Sequence, residues 1–445
     1  MDWIIERMRT FEDYEALIVS DKSYKYSNVI ENINIWKMKL EEYGVKSKQV
    51  VALYGDFCPE MLFAMFALII NENIVVPIST EKHEKLEVML NDARVDNLFV
   101  FENENIKFIN RNNTETHELL EIIRKEKNAG IVIFTSGSTG NGKCALHRFS
   151  SMTEKVRAEV GRKILRTLVF LKMDHIGGIN TIFSILFRGG TMVLINDRSV
   201  DNVCSLIQKH KVELLPTTPS FINMIIISGA VKDYDLSSLI LITYGTEPMP
   251  TTTLKTISKE LPNVKIRQTY GLTELGIFPT KSKNNSSTWM KVGDDKVEVQ
   301  IRNNVLFVRS PYSMLGYLNA PSPFDEAGWY NTGDQVEVEG EYVHILGRNE
   351  EIINVGGEKV FPAEIEGVLS RIPNVLDVVV RGRSNPITGQ IVTATFQLRE
   401  AEDEKEFKKR VMEYCRKELE AYKIPRMIFI SDSNFIGVNL KKQRL

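Results

Sequence analysis

The stretch Ile131-Val-Ile-Phe-Thr-Ser-Gly-Ser-Thr-Gly-Asn-Gly-Lys143 predicts both the fold and the functional site of this protein. Its first four residues are apolar, which is typical of a short buried strand. The glycines that follow allow the backbone to turn tightly and to bring its N–H groups close to an anion. Lys143 adds a positive charge that can contact phosphate oxygens. The stretch therefore predicts a strand that runs into a polyphosphate-binding loop, whose hydroxyl-bearing residues and glycines are Thr135, Ser136, Gly137, Ser138, Thr139, Gly140 and Gly142.

Two kinds of nucleotide-binding loop fit this stretch, and a Ser/Gly-rich surface loop without a ligand is a third interpretation. Gly137 to Lys143 has the G-x-x-x-x-G-K spacing of a Walker A loop. The next residue of that motif holds magnesium through a hydroxyl, whereas Cys144 is a poor ligand for a hard cation. The stretch also resembles the Thr-Ser-Gly-Ser-Thr-Gly-x-x-Lys loop of the adenylate-forming (ANL) superfamily, which includes acyl-CoA synthetases, adenylation domains and luciferases. Gly142 departs from that pattern, because the family usually has proline there.

Composition excludes several classes of protein. The chain has 445 residues, enough for two or three domains, with the 43% hydrophobic and 26% charged residues of an ordinary globular protein. A net charge of -2 provides no basic surplus for nucleic acid. The four cysteines, Cys58, Cys144, Cys204 and Cys415, have neither disulfide-framework nor metal-ligand spacing, so we expect reduced thiols.

The N-terminus does not resemble a targeting signal. It carries acidic residues where a signal peptide has a basic start and a long apolar core. The apolar run from Met61 to Asn71 is too short to cross a bilayer. We therefore expect a soluble cytoplasmic protein without membrane insertion.

Strand-like and helix-like segments alternate along the first part of the chain. Val50–Tyr54 is predicted as a strand, Glu60–Ile70 as a buried helix and Ile74–Ile78 as the next strand. This order favours a parallel sheet. Similar alternation continues beyond the phosphate loop, whereas residues 297–346 have the pattern of short alternating strands. We expect residues 107–128 to be polar with one amphipathic helix, and residues 281–296 to be polar and exposed.

A change of pattern near residue 348 predicts a domain boundary. Beyond it lies a compact β/α/β segment that ends in a charged helix over 401–422. We therefore expect one domain over residues 1–347 and a C-terminal domain over residues 348–445, and the family resemblance implies that the first binds ATP and the acyl group. The fold class is α/β. The family resemblance implies parallel and mixed sheets flanked by helices, a distorted β-barrel, and a small mobile α+β domain whose hinge lies near residues 349–350.

Tyr270-Gly-Leu-Thr-Glu274 resembles the Tyr-Gly-x-Thr-Glu motif of the same family. The resemblance implies that Tyr270 stacks on adenine, that Thr273 bonds the α-phosphate and that Glu274 ligates magnesium. An aromatic face, a hydroxyl and a hard carboxylate suit these roles. On its own, such a pentapeptide is equally compatible with a turn at the end of a strand.

Two further stretches resemble the nucleotide-binding motifs of the family. Tyr244-Gly-Thr-Glu-Pro248 is similar to its Gly-Gly-Glu-Pro adenine loop, which places Gly245, Thr246, Glu247 and Pro248 around the base. Tyr244 stands at the position of the first glycine, where its ring would crowd the pocket. Asp334 lies in a Thr-Gly-Asp motif, and Arg348 begins the next motif. The resemblance implies that Asp334 binds the ribose hydroxyls with Arg348 beside it; a structural ion pair is the alternative.

The segment from Arg348 to Glu366 resembles the hinge and glycine signature of the family. Glu350 occupies the hinge position, where Asp or Lys is usual. Gly356 and Gly357 belong to the loop that would line a pantetheine tunnel. The final Lys441-Lys-Gln-Arg444 resembles the Lys-x-x-Arg ending whose lysine closes on the acyl phosphate. Because Leu440 replaces the usual preceding glycine, Lys442 is an alternative candidate, and a solvated basic tail is another interpretation.

Together these motifs imply an ATP-dependent acid–thiol ligase. A carboxylic acid would form an acyl-adenylate with release of pyrophosphate, and the acyl group would then pass to CoA. The implied cofactors are ATP, Mg²⁺ on Glu274, and CoA or the phosphopantetheine of a carrier protein. Positioning and charge neutralisation would dominate catalysis. The catalytic residues that we predict are Lys143, His175, Thr273, Glu274 and Lys441.

The acyl pocket is predicted near Asp174-His-Ile-Gly-Gly-Ile-Asn180. His175 would border the carboxylate, and Gly177 and Gly178 would leave room for an acyl or aryl group; a histidine at a helix start is the alternative. Asp174 does not match the aspartate with which related enzymes bind an amino group, which favours a non-amino acid. Other functions left open are loading of a separate acyl carrier protein and nucleotide binding without catalysis.

Overall fold

The computed structural model describes residues 1–102, 105–135, 142–158, 164–195, 197–432, 435 and 442. The α-helices of this part of the chain are Trp3–Arg9, Tyr26–Glu42, Pro59–Ile70, Leu86–Asp92, Glu118–Lys125, Phe149–Ala158, Ile176–Leu186, Val200–His210, Pro219–Ser228, Ala230–Asp233, Thr251–Glu260, Pro362–Leu369 and Glu404–Glu418.

The first sheet is built on parallel strands that are buried on both faces. Val50–Gly55, Ile74–Ile78 and Gly130–Phe134 are fully apolar or nearly so, as expected for central parallel strands. Their connections confirm the predicted strand–helix–strand unit. In order across the sheet, the strands are Gly316–Tyr317, Cys144–Arg148, Gly130–Phe134, Ile74–Ile78, Val50–Gly55, Asn97–Glu102 and Asn105–Asn110.

The second sheet is also mainly parallel, and it contains a strand from the N-terminus. Glu15–Val19 pairs in parallel with Thr191–Val193, far along the sequence. Its neighbour Lys22–Lys25 closes one edge in antiparallel orientation. In order, the strands are Lys265–Gln268, Leu241–Tyr244, Leu214–Thr217, Arg166–Leu168, Thr191–Val193, Glu15–Val19 and Lys22–Lys25.

A continuous apolar core joins the two sheets. The helix Pro59–Ile70 is apolar on all sides, and its residues 61–69 are buried. The same core contains Leu53 and Ile131 of the first sheet and Leu17 and Met192 of the second. Burial of this helix between two sheets explains why it has no polar face.

The third sheet is antiparallel and follows the two parallel sheets along the chain. Its strands in order are Thr280–Ser282, Met290–Val292, Tyr342–Arg348, Tyr330–Glu339, Val305–Arg309 and Glu298–Arg302. A separate short hairpin pairs Tyr270–Leu272 with Gly276–Phe278. Both the hairpin and the third sheet contribute to one apolar cluster. The sheets and helices confirm the predicted α/β fold class.

Residues 353–430 have a hydrophobic core of their own and are called the C-terminal unit below. Its helices Pro362–Leu369 and Glu404–Glu418 pack with a sheet of the strands Glu358–Val360, Ile353–Val355, Gly389–Leu398 and Val375–Asn385, to which Met427–Ile430 adds. Asn349–Glu351, a turn of 3₁₀ helix, connects this unit to the third sheet.

The predictions for two polar segments were confirmed only in part. Residues 281–296 contain the strand Met290–Val292, in which the side chains of Met290 and Val292 are buried in the third-sheet core. Residues 107–128 contain the predicted helix, Glu118–Lys125, but the strand Asn105–Asn110 precedes it. Both strands are short and lie near sheet edges, so few apolar residues mark them. Among the helices of the described residues, none has the combined length and apolar character needed to span a bilayer.

Candidate active site

Several of the predicted site residues lie on segments that follow the carboxyl ends of parallel strands. Gly130–Phe134 leads directly into the phosphate loop, and Leu241–Tyr244 leads into the predicted adenine loop. Lys265–Gln268 precedes the hairpin that carries Tyr270 and Glu274. In α/β sheets, ligands bind in the crevice outside the carboxyl ends of the strands. Sheet topology therefore places several of the predicted motifs at the carboxyl ends of parallel strands.

The phosphate loop is closed at its base by its first and last described residues. Thr135 N donates to Lys143 O at 2.9 Å, and Lys143 N donates to Thr135 Oγ1 at 3.2 Å. A Cβ on Gly142 would lie 2.6 Å from Thr135 O, so a residue larger than glycine there would displace this closure. The remaining predicted residues of the loop, Ser136, Gly137, Ser138, Thr139 and Gly140, lie outside the described residues.

Glu274 lies in a hydroxyl-rich environment next to the end of this loop. The side chain of Glu274 is buried, and its Oε1 accepts a hydrogen bond from the Tyr317 hydroxyl. The Tyr330 hydroxyl interacts with both Glu274 and Tyr317. Lys143 Nζ lies 5.2 Å from the centroid of the Tyr317 ring. Burial and the carboxylate of Glu274 raise the pKa of Tyr317 and of Tyr330, so both hydroxyls remain protonated donors.

A second group of polar contacts adjoins the first. The Tyr270 hydroxyl donates to Asp334 Oδ2 at 2.6 Å, and Arg348 Nε lies 3.1 Å from Asp334 Oδ1. Antiparallel pairing places Asp334 directly opposite Arg348. Burial raises the pKa of Asp334 although Arg348 and Tyr270 favour its charged form. We call the residues of these two groups the polar network: Tyr270, Glu274, Tyr317, Tyr330, Asp334 and Arg348.

Thr273 and His147 lie behind this network. Thr273 precedes Glu274 in the turn of the hairpin and is partly exposed. His147 is fully buried on the strand Cys144–Arg148, and its ring faces the Thr273 backbone without forming a well-aligned hydrogen bond. Burial lowers the pKa of His147 to about 4, so the ring is neutral at physiological pH.

The predicted adenine loop has an unusual backbone. Thr246 has a φ of +75°, in the left-handed region that favours glycine, and such conformations often occur at ligand-binding sites. A Cβ on Gly245 would lie 2.7 Å from Thr269 Oγ1, and Pro248 ends the motif. Glu247 Oε1 accepts from Ser220 N at 2.8 Å. The prediction that Tyr244 crowds the pocket was wrong, because its ring packs in the apolar core of the second sheet with 1% exposure.

The predicted acyl region contains an ion pair. Asp174 is buried, and its Oδ2 lies 2.6 Å from Lys82 Nζ and accepts from Ser79 Oγ at 2.8 Å. Burial opposes the charge of Asp174, yet His175, Lys82 and Ser79 together lower its pKa to about 2. His175 Nε2 lies 3.7 Å from Asp174 Oδ1. The carboxylate of Asp174 is therefore already neutralised by the protein.

His175 and the two glycines after it have different environments. His175 precedes the helix Ile176–Leu186 as its N-cap and is partly exposed. Gly178 is buried, and a Cβ on it would lie 1.8 Å from Lys172 O. Close packing against the Lys172 backbone already requires glycine at this position. The presence of Gly178 is therefore no evidence for an acyl pocket. A Cβ on Gly177 would meet Leu171 Cδ1 at 3.1 Å.

The C-terminal candidates that the structure describes are Gly356, Gly357 and Lys442. Gly356 and Gly357 lie in an exposed turn, with φ angles of +62° and +94° that favour glycine. Lys442 contacts the adenine loop through its backbone, because Lys442 N donates to Glu247 Oε2 at 3.2 Å. Its ammonium group lies 2.8 Å from Asp377 Oδ1, within the C-terminal unit. Lys441 lies outside the described residues.

Sequence reasoning missed Tyr317, Tyr330 and Lys82 as site residues. Tyr317 reaches the network through antiparallel pairing of Gly316–Tyr317 with Cys144–Arg148. Tyr330 stands four residues before Asp334, at the start of the same strand, which is the one sequence signal for it. Lys82 lies in the 3₁₀ helix Thr80–Lys85, far from Asp174 in the sequence, so no local pattern marks this pair.

The residues fit a magnesium ion that is bound mainly by substrate phosphates. Glu274 supplies one hard carboxylate beside the phosphate loop. Elsewhere in the described ranges, no group of three His, Cys, Asp or Glu residues is arranged to hold a metal. Magnesium bound together with nucleotide phosphates typically uses one or two carboxylates from the protein.

Comparison with known proteins identifies the family. The family model of the AMP-binding enzymes matches residues 5–318, well over half of the chain, and that of the AMP-binding enzyme C-terminal domain matches residues 364–434. The chain belongs to the AMP-binding enzyme family.

Relatives in this family include CoA ligases. The chain is 26% identical to long-chain-fatty-acid–CoA ligase FadD13 of Mycobacterium tuberculosis over 324 residues, which cover 68% of the chain and 63% of that protein. It is 24% identical to 4-coumarate–CoA ligase 1 of Arabidopsis thaliana, over 97% of the chain and 89% of that protein. The fold is similar to that of the anthranilate CoA ligase AuaEII in complex with anthranoyl-AMP, with a TM-score of 0.82, 20% identity and coverage of 99% and 95% of the two chains.

Proposed function

We propose that this member of the AMP-binding enzyme family is an acid–CoA ligase that activates a carboxylic acid as an acyl-adenylate. The observation that carries this proposal is the polar network beside the phosphate loop. There Lys143 lies beside the Tyr317 ring, and the Tyr317 hydroxyl donates to Glu274. Contacts of Asp334 with Tyr270 and Arg348 extend this group. A Walker A protein would not be expected to need these downstream residues.

Each polar residue suits one part of ATP. The Asp334 carboxylate, oriented by Tyr270 and Arg348, would accept hydrogen bonds from the ribose hydroxyls. The Tyr270 ring and the loop from Gly245 to Pro248 would contact adenine. Thr273 and Lys143 would bind phosphate oxygens, together with the hydroxyls and glycines from Thr135 to Gly140.

The first step of the proposed reaction is a nucleophilic displacement at the α-phosphorus of ATP. A carboxylate oxygen of the acid bonds to the α-phosphorus of ATP as the bond to pyrophosphate breaks. The carboxylate is already a nucleophile, so the site mainly brings two anions together and neutralises them. Magnesium, when bound at Glu274, would stabilise charge on the phosphates. Tyr317 and Tyr330 would hold the Glu274 carboxylate in place by donating to it.

In the second step, the thiol sulfur of CoA bonds to the acyl carbon, AMP leaves, and the thiol proton passes to solvent. Rotation of the C-terminal unit about Glu350 would withdraw Lys441 and bring Gly356 and Gly357 to the thiol. Hinged closure of this kind needs only a few residues that change backbone conformation. The short 3₁₀ turn Asn349–Glu351 is suited to such a hinge.

The acyl region favours a substrate without an amino group. Asp174 is the carboxylate nearest to His175, and it is already paired with Lys82 and Ser79. A substrate ammonium would have to displace Lys82 from a buried carboxylate, which is costly. Aryl and fatty acids are therefore the first candidates.

Pyrophosphate exchange into ATP tests the adenylation step. The wild-type protein would be assayed with a panel of aryl, fatty and amino acids, and we expect exchange with a non-amino acid. Lys441→Ala should reduce exchange on the order of 100- to 1,000-fold, the usual effect of losing one charge-stabilising group. Lys408→Ala, which removes a lysine that pairs with Glu404 on a helix of the C-terminal unit, is the matched control and should leave exchange unchanged.

The acceptor is tested separately. Adding CoA, or a phosphopantetheinylated carrier protein, to the acyl-adenylate identifies which thiol takes the acyl group. Acylation of a carrier protein alone would replace the CoA assignment by carrier loading. ATP binding without exchange for any acid would refute the proposal in favour of a nucleotide-binding protein without catalysis.

A further inference from the structure

The side chain of Lys442 is held by the C-terminal unit. Its Nζ lies 2.8 Å from Asp377 Oδ1 and 3.7 Å from Glu366 Oε2, and it donates to Val378 O at 2.8 Å. The Lys442 side chain is only 14% exposed. Its charge is therefore balanced by two carboxylates within the unit.

Both carboxylates are themselves fixed. Glu366 lies on the helix Pro362–Leu369 with 3% exposure, and its Oε1 accepts from Val380 N at 3.0 Å. Asp377 lies on the strand Val375–Asn385, and its Oδ1 also accepts from Val378 N, the next residue of that strand, at 2.8 Å. Removing the ammonium would take away a cation that lies close to two largely buried carboxylates, which is strongly unfavourable.

The backbone of Lys442 is held from the opposite side. Its N–H donates to Glu247 Oε2 at 3.2 Å, whereas Glu247 Oε1 accepts from Ser220 N at 2.8 Å. Ser220 lies in the first turn of the helix Pro219–Ser228 in the second-sheet region. Glu247 of the predicted adenine loop therefore binds the backbone of Lys442, the same residue whose side chain is bound by the C-terminal unit.

We propose that Lys442 is a positioning residue that anchors the C-terminal tail and holds the two parts of the protein in the arrangement for adenylation. The anchor consists of the Lys442 side chain on Asp377 and Glu366, and the latch is its backbone N–H on Glu247. Lys442 is then not the lysine that closes on the acyl phosphate, which leaves that role to Lys441. This inference rests on the proposed function.

The test separates the two half-reactions. Adenylation is followed by pyrophosphate exchange, and acyl transfer is followed from supplied acyl-adenylate and thiol. Lys442→Met should lower the kcat of exchange on the order of 10- to 100-fold, the range for a lost hydrogen bond to a charged group, with little change in the KM for ATP. Acyl transfer should be unchanged. Lys442→Arg should retain most of the exchange rate because it keeps the charge and the donors.

A second variant tests the partner carboxylate. Asp377→Asn should lower the same step as Lys442→Met, and the double variant should be no slower than the slower single variant, since both remove one interaction. If Lys442 were instead the closing lysine, Asp377→Asn would not lower exchange and Lys442→Arg would not restore it. Equal loss of both half-reactions in Lys442→Met would also overturn the inference.

Domain closure can be measured without turnover. Dyes at the exposed positions Glu42 and Lys417 report the separation of the two parts by energy transfer in the presence of ATP. We expect Lys442→Met to broaden or lengthen this distance, and an unchanged distance would contradict the anchor. This measurement remains informative if wild-type exchange is absent, so failure of the proposed function is distinguished from failure of the anchor.

Discussion

On the phosphate-loop side of the site, Glu274, Asp334 and Tyr270 are buried and bonded to neighbouring side chains, whereas on the C-terminal side Gly356 and Gly357 are exposed in a turn. The first group is held by several hydrogen bonds and by an apolar cluster beneath it. The second group belongs to a unit with a separate core. Contact between the two sides includes one backbone hydrogen bond from Lys442 to Glu247.

This difference has a physical consequence. A buried polar network is costly to rearrange, because each displaced group loses its partner in a medium of low dielectric constant. An exposed glycine turn has no such constraint and can be presented to different partners. We therefore interpret the polar network as a preformed nucleotide site and the C-terminal unit as the part that changes position between the two half-reactions.

Loss of the Glu274 charge should have the largest effect. In Glu274→Gln, we expect adenylation to fall on the order of 100- to 1,000-fold, because one charge that holds magnesium at the phosphates is removed. The matched control Tyr317→Phe removes the hydroxyl that donates to Glu274 but keeps the carboxylate. Its exchange rate should fall about tenfold. Equal rates for the two variants would contradict the metal-binding role of Glu274.

Acid should lower the free energy of unfolding through the buried His147. Burial lowers the pKa of His147 to about 4, below the ordinary value of 6.5. Below pH 6.5 the unfolded chain takes up this proton before the folded chain does, so stability falls as pH drops from 6.5 to 4. The full loss is about 3 kcal/mol, at about 1.4 kcal/mol for each pH unit.

Chemical denaturation between pH 7 and pH 4 measures this loss. His147→Gln cannot titrate, and its free energy of unfolding should change less over the same range than that of the wild type. A variant curve parallel to the wild-type curve would mean that other groups control acid stability.

Removing the charge of Asp334 should affect ATP binding without affecting the second half-reaction. Asp334→Asn can still accept from Tyr270 but loses its ion pair with Arg348 and its charged acceptor for ribose. We expect the KM for ATP to rise about 10- to 100-fold, while transfer from supplied acyl-adenylate to the thiol keeps most of its kcat.

The pH dependence of the same KM provides a second readout. Burial raises the pKa of Asp334. As the pH is lowered, the wild-type KM for ATP should therefore begin to rise at a higher pH than it would if this carboxylate had an ordinary pKa. The Asn variant should not show this rise. A rise of equal size in both would assign the titration to another group.

The smallest effect on activity is expected from a substitution in the exposed glycine turn of the C-terminal unit. Gly357 has a φ of +94°, so Gly357→Ala introduces strain of about 1–2 kcal/mol into the turn. We expect acyl transfer to the thiol to slow about 5- to 30-fold, while pyrophosphate exchange stays at the wild-type rate. Gly340→Ala, in an exposed turn of the third sheet with a φ of +61°, controls for strain alone. A loss of pyrophosphate exchange in Gly357→Ala would contradict this assignment, because it would mean that the glycine is needed for adenylation.

Local sequence patterns predicted much of the parallel part of the fold. Val50–Gly55, Pro59–Ile70 and Ile74–Ile78 lie within a residue or two of the predicted elements, because apolar runs of strand and helix length mark buried segments. Asn105–Asn110 and Met290–Val292 were not predicted as strands, since short strands near sheet edges have weak apolar patterns.

The sequence by itself determined much of the strand and helix alternation in the parallel sheets, the phosphate-loop stretch and the motifs that resemble nucleotide-binding motifs, because each depends on neighbouring residues along the chain. Only the tertiary structure decided that Glu15–Val19 enters the second sheet, that Tyr317 donates to Glu274, that Lys82 neutralises Asp174 and that Lys442 pairs with Asp377. Each of these contacts joins residues at least 43 positions apart, as for Glu274 and Tyr317. Such contacts depend on the packing of whole sheets and domains, which no local pattern records.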